Sequence, residues 1–288
     1  MTIGISSLPG GVGAVVDVDD GDALLLQDLP PADAEALRTA FANNSVTLIR
    51  GASLDPASHL AITRTLGEPD IHPVESIRLP GQPEIIEIAH TPETIAEGST
   101  PGGPDEIVGL LDWHADLMYT PSPSRGALLR ALEVPKEGGE TAFLDTTLAY
   151  EALEESTKSR LVGQQAVYRL RGNLFRARSR SVDDDQFSEV CHPILHLVPE
   201  TQKIALSISP AAIRIDGVGE AESERLLSEL HQHSVQERFI YVHRWQVGDL
   251  IILNNKRTLH SAFGHKRKYT RLLHRTTLKG SPLEPAAA

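Results

Sequence analysis

Little in this 288-residue chain is cationic, sulfur-bearing or continuously apolar, and each shortage removes a class of function. Lys and Arg number 27 against 39 Asp and Glu, a formal net charge of -12. Nucleic acids are held by cations that neutralise phosphates, so this balance argues against them as partners. A single cysteine, Cys191, excludes an intramolecular disulfide, suits a reducing compartment and is expected as a small buried hydrophobe. No apolar run approaches the ~18 residues of a membrane span, and no Lys or Arg precedes Arg38 to build a secretion signal. The expectation is a cytoplasmic protein with no membrane partner. No fixed-period repeat is visible, and low complexity is confined to the closing residues, so 282–288 is expected to fray.

What is present is an ordinary globular composition, with 40% hydrophobic and 23% charged residues, enough for a core without staples. The length suits one large domain over residues 1–288. Helices are expected at Pro31 to Asn44, where Leu37, Ala40 and Phe41 share a face, and at Pro56 to Leu66. Two more should follow the N-cap candidate Asp145, running through Leu153, and begin near Glu220. Between them lie short β-rich runs: Val46 to Ile49, Ile85 to Ile88, Ala127 to Leu132, Ala166 to Leu170, Ile204 to Ile208, Phe239 to His243, Asp249 to Leu253 and Arg271 to Leu278. Many short strands separated by Gly and Pro imply a sandwich or barrel, mainly β with flanking helices (α+β). The polar stretch 91–106, without periodicity and just upstream of the first candidate ligand, is expected as a lid.

The sharpest chemical signal is Trp113-His114-Ala115-Asp116. In an extended strand residues i and i+2 face the same way, so an imidazole and a carboxylate are offered together. Alone such a triplet is common and usually means a solvated turn. A third ligand is available in His260, which follows the buried run from Asp249 and a turn. Two imidazoles and one carboxylate leave adjacent positions of an octahedral Fe(II) open to a bidentate co-substrate and O₂. Downstream, Arg271 and Arg275 stand at strand spacing i, i+4, hence on one face, in apolar surroundings where a buried guanidinium needs an anion. Lys266 to Lys268 follow Gly264-His265 and are expected as a solvated basic turn.

With these residues in place the chain resembles the taurine dioxygenase / 2,4-dichlorophenoxyacetate dioxygenase family of Fe(II)/2-oxoglutarate enzymes. The resemblance runs in order through Leu66-Gly-Glu-Pro-Asp-Ile-His72-Pro, Trp113-His114-Ala-Asp116, Gly138-Gly-Glu-Thr141-Ala-Phe, His192-Pro193, and Arg244-Trp245 through His260 to Arg271-Leu-Leu-His-Arg275-Thr-Thr. It implies a double-stranded β-helix, or jelly roll, with iron on His114, Asp116 and His260. It also implies 2-oxoglutarate on Arg271 and Thr141, with O₂ as the second co-substrate and succinate and CO₂ as products. Asp116 argues against a halogenase, which leaves that position to chloride. Homo-oligomers, dimers or tetramers, are implied as well.

The same resemblance puts the anionic head group of the substrate on His72 and Arg275, with Phe175 and Leu110 as pocket walls. Glu75, Leu110 and Ala212 replace the Tyr, Asn and Phe of the taurine pattern, so the expected substrate is a bulkier carboxylate, sulfonate or sulfate ester. Asn254 replaces an Asp upstream of the second histidine and is expected to alter hydrogen bonding around the metal. Two alternatives stand beside this reading: a tailoring hydroxylase or desaturase of a biosynthetic intermediate, and a non-catalytic metal-binding jelly roll. A zinc hydrolase on the same three ligands would have no use for Arg271 and Thr141.

Overall fold

The fold is described from a computed structural model at residues 3–17, 29–52, 55–72, 75–90, 103–169 and 188–286. Two prolines open the first helices, Pro31–Asn43 and Pro56–Leu66, where a missing N–H costs nothing. Asp55 caps the second by accepting from the Ser58 N–H. Leu37, Phe41, Ile62 and Leu66 point inward from these helices and pack on Leu128, Leu250, Ile252 and Leu278.

That apolar layer covers one face of a large, almost wholly antiparallel sheet. Its N-terminal members are β1 (Gly4–Ser7), β2 (Ala14–Asp17) and β3 (Val46–Ile49), followed by β4 (Pro69–Asp70), β5 (Arg78–Leu79) and β6 (Gln82–His90). The opposing sheet takes β7 (Ile107–His114), and the large one takes β8 (Gly126–Glu133). Next come β9 (Thr141–Asp145), β10 (Gln165–Tyr168), β11 (Val190–Pro193), β12 (Leu195–Val198), β13 (Lys203–Leu206) and β14 (Ala212–Ile215). The chain closes with β15 (Ile240–His243), β16 (Leu250–Asn254), β17 (Thr258–Lys266) and β18 (Arg271–Leu278). The large sheet runs β1-β2-β3-β16-β8-β18-β6-β5, with β4 on β18; the opposing sheet runs β15-β9-β17-β7. Strands adjacent in sequence, such as β7 and β8 or β16 and β17, fall in opposite sheets, the winding of a jelly roll.

Asp145 caps the helix Thr146–Glu151 with one carboxylate oxygen accepting from the Thr147 and Leu148 N–H groups. Its other oxygen takes Arg257 at 2.7 Å, deep in the protein. This helix is shorter than expected from sequence. With Glu220–Ser234 it closes a second apolar core around Leu144, Tyr168, Leu226, Leu230 and Phe239.

Several expectations are corrected. The tail docks rather than frays through Ala286: Leu283 is buried, Leu197 N–H donates to Glu284 O, and Ala286 N–H donates to Leu195 O. Cys191 is exposed, on a strand of the small sheet β11-β10-β14. Gly264 and His265 lie inside β17, where Gly264 takes φ +74° and a Cβ would meet Val108 O, and the turn comes later. The basic residues beyond it are paired, Arg267 with Glu106 at 2.5 Å and Lys268 with Asp105 at 2.7 Å. Those acidic partners end the expected lid, whose residues 91–102 lie outside the described part of the chain. No described helix is long and apolar enough to cross a membrane.

Candidate active site

Between the two sheets lies a cavity of about 340 Å³, walled by β6, β8 and β18 on one side and β7, β9 and β17 on the other. The alternation of β18 directs Arg271, Leu273, Arg275 and Thr277 into it. The intervening Thr276 faces the helix Pro56–Leu66, where its hydroxyl meets Thr63 at 2.7 Å and His59 at 3.3 Å.

His114 ends β7, Asp116 follows two residues on, and His260 lies beside His114 across the β7–β17 ladder. The three offer ligand atoms within 4.8 Å of one another, and each imidazole Nε2 is 3.9 Å from Asp116 Oδ1. His114 Nδ1 lies 2.7 Å from Asp112 O; a carbonyl only accepts, so this nitrogen carries the proton and Nε2 presents its lone pair. Burial lowers the pKa of both imidazoles, that of His260 to about 3, so both are neutral near pH 7. Burial alone would raise the Asp116 carboxyl, but Arg275 and then the two imidazoles outweigh it and hold it at about 2. Two neutral nitrogens and one carboxylate fit a divalent transition metal with open coordination positions.

The orientation of Asp116 comes from Asn255, whose Oδ1 accepts the Asp116 N–H at 2.8 Å and whose Nδ2 donates to Asp116 O at 3.0 Å. Sequence reasoning assigned that influence to Asn254, which instead donates to Phe41 O and accepts from Lys256 N–H in the turn before β17. Leu117 takes φ +59° immediately beyond.

Arg271 is buried on β18, with Nε donating to Gly139 O at 3.3 Å and Nη2 to Thr141 Oγ1 at 3.4 Å. Trp245 Nε1–H donates to the same hydroxyl at 3.0 Å, and the Trp245 ring lies 5.9 Å from the guanidinium. Among the described residues no carboxylate lies within ion-pair distance of Arg271, and burial brings its pKa down to about 10. Gly139 sits at φ +77°, and a Cβ there would run into Pro135, so the position requires glycine. The Gly138-Gly139 pair is therefore what lets a carbonyl approach the Arg271 stem.

The cavity thus gathers His72, Leu110, His114, Asp116, Thr141, His260, Arg271 and Arg275. Phe175 lies outside the described residues. Glu75 is exposed away from the cavity, and Ala212 is buried in the second core, its neighbour Ala211 lining the cavity instead. Tyr119 and Arg169 also line it and were missed by sequence reasoning, since neither stands in a motif. Arg275 reaches Asp116 rather than open space, with Nη2 at 2.7 Å from Oδ2 and Nη1 donating to Oδ1 at 3.2 Å.

The family model for taurine catabolism dioxygenase TauD, TfdA family, matches residues 5–277. The chain belongs to the TauD/TfdA family. Like other members it is an oxidoreductase of the Fe(II)/2-oxoglutarate type with a jelly-roll fold. It is similar to the alpha-ketoglutarate-dependent 2,4-dichlorophenoxyacetate dioxygenase of Burkholderia sp. (strain RASC), 29% identical over 273 residues covering 90% of each chain. It is also similar to the alpha-ketoglutarate-dependent sulfate ester dioxygenase of Pseudomonas putida, 27% identical over 267 residues, 89% of this chain and 84% of the other. Among solved structures, a taurine dioxygenase from Burkholderia xenovorans matches with a TM-score of 0.77 at 26% identity, over 98% of this chain and 93% of that one.

Proposed function

We propose that this TauD/TfdA dioxygenase holds Fe(II) on His114, Asp116 and His260, anchors the far carboxylate of 2-oxoglutarate on Arg271 and Thr141, and hydroxylates a medium-sized organic anion. The observation that carries the reading is the buried Arg271: a guanidinium with no counter-ion among the described residues, in one cavity with a His-Asp-His triad, is a receptor for a carboxylate. Iron so bound would supply the oxidative decarboxylation of 2-oxoglutarate by O₂, coupled to oxidation of the substrate. The fork of Arg271 and the Thr141 hydroxyl would orient the co-substrate, with Trp245 fixing that hydroxyl. A carboxylate, sulfonate or sulfate ester is the substrate class, with the Arg275 guanidinium and the His72 imidazole as its polar contacts. The remaining wall supports a body larger than taurine: Ile77, Ile86, Ile88, Leu110, Met118 and Leu273 are apolar, and Leu110 occupies the position read as Asn in the taurine pattern. The same domain is assigned to residues 1–288, and a symmetric homo-oligomer is the assembly to check by light scattering.

The test is O₂-dependent succinate release with Fe(II), 2-oxoglutarate and a set of candidate substrates. Phenoxyacetates and medium-chain alkyl sulfates should stimulate release well above the substrate-free rate, and taurine should not. Equal stimulation by neutral isosteres of the same size would refute the anionic substrate, and preference for taurine would refute the enlarged pocket.

A further inference from the structure

Arg275 is assigned above to the head group of the substrate, yet both of its terminal nitrogens lie against Asp116. A guanidinium has five N–H donors in a rigid fork. One edge lies against the Asp116 carboxylate, Nη1 donating to Oδ1 at 3.2 Å and Nη2 paired by charge with Oδ2 at 2.7 Å, while Nε is buried and has no hydrogen-bond partner among the described residues. A metal ion on Asp116 needs one of those oxygens, and it must approach the guanidinium cation beside them. Contact and charge therefore oppose the metal together. At an effective dielectric of ~20 the repulsion between a divalent ion and a guanidinium on the same carboxylate is worth more than a factor of ten in affinity.

Neutralising Arg275 removes that opposition, and an anionic head group is what neutralises it. We infer that Arg275 is shared between Asp116 and the head group of the substrate, so that arrival of the anion frees the carboxylate and tightens the metal. Substrate and metal are then linked reciprocally: whatever factor the anion adds to metal affinity, the metal adds to anion affinity. Arg275 acts here as a positioning residue for Asp116, and the inference rests on the proposed metal site.

The experiment is Mn(II) affinity, followed by electron paramagnetic resonance of the free ion, in the wild type, Arg275→Gln, Arg275→Lys and His114→Ala, with folding checked by circular dichroism. Arg275→Gln should bind Mn(II) at least about tenfold tighter than the wild type. Arg275→Lys, which keeps the charge, should stay within a few-fold of it. Unchanged or weaker binding in folded Arg275→Gln overturns the inference, because a residue that merely braces Asp116 would weaken the site on removal. Arg275→Met serves the same purpose if Gln fails to fold. Failure of a different kind is separable: if His114→Ala binds Mn(II) as well as the wild type, the metal site itself is misassigned.

Discussion

Replacing Arg271 with Met should separate stability from function, because the guanidinium is costly to the empty protein and indispensable to the filled one. Burial lowers its pKa from the ordinary guanidinium value to about 10. At about 1.4 kcal/mol per tenfold, that drop is a penalty on the order of 3 kcal/mol for keeping the charge inside. The sign is that of a buried cation. Folding disfavours the protonated form, so the cost is complete at every pH below about 10 and fades only as pH rises from there toward the ordinary guanidinium value. Met fills similar space without the charge, so the 2-oxoglutarate-free variant should melt no lower than the wild type and up to several degrees higher. Loss of two charge-assisted hydrogen bonds, roughly 1.5–3 kcal/mol each, should weaken 2-oxoglutarate at least about 100-fold. Scanning calorimetry with and without 2-oxoglutarate reads both quantities on one sample. A variant that melts well below the wild type yet is still stabilised by 2-oxoglutarate would refute the assignment of Arg271.

Acid should destabilise the metal-free protein between pH 6.5 and 4. Burial lowers His59 to about 3 and His196 to about 4, so unfolding takes up protons in that window and stability falls as pH falls through it. Urea melts should lose on the order of 4 kcal/mol between pH 7.5 and 5 from these two residues, and His196→Gln should flatten the slope; an unaltered slope would clear His196. Asp145→Ala leaves Arg257 buried and unpaired and should cost about 3–5 kcal/mol, on the order of 10 °C in Tm. Asp145→Ala with Arg257→Met should recover part of that loss, and no recovery would mean that the pair is not the cause. Gly139→Ala forces a Cβ onto Pro135 at φ +77°, shifting the carbonyl that Arg271 Nε donates to. The 2-oxoglutarate KM should rise while Mn(II) affinity stays within a few-fold; a selective loss of metal affinity would contradict this route of action.

Much of this architecture was legible in the sequence where local chemistry decides it. Pro56–Leu66, Val46–Ile49 and Arg271–Leu278 fall on the expected ranges, because a proline at N1, a β-branched run and a turn-bounded apolar strand each act within a few residues. The alternation of β18 that sends Arg271 and Arg275 to one face was readable for the same reason. The triad was readable from an i, i+2 pair and a distant histidine. What was not legible depends on tertiary contact. The tail from Ser281 has no periodicity, yet Leu283 finds the second core and the backbone finds β12. The orientation of Asp116 by Asn255 joins residues 139 apart, and adjacent asparagines give no local sign of which one turns toward the site. Cys191 was expected inside by residue preference, but its strand shows that face to solvent. The pairing of Arg275 with Asp116 could not be inferred from either motif alone.

The most direct test of the account is anaerobic titration of the Fe(II)-loaded protein with 2-oxoglutarate, following the visible metal-to-ligand charge-transfer absorption that chelation produces. The account predicts that the band appears and saturates in the wild type, is absent in His114→Ala, and requires far higher 2-oxoglutarate in Arg271→Met. Folded, iron-loaded wild type that never develops the band, or an Arg271→Met titration that overlays the wild type, would contradict it.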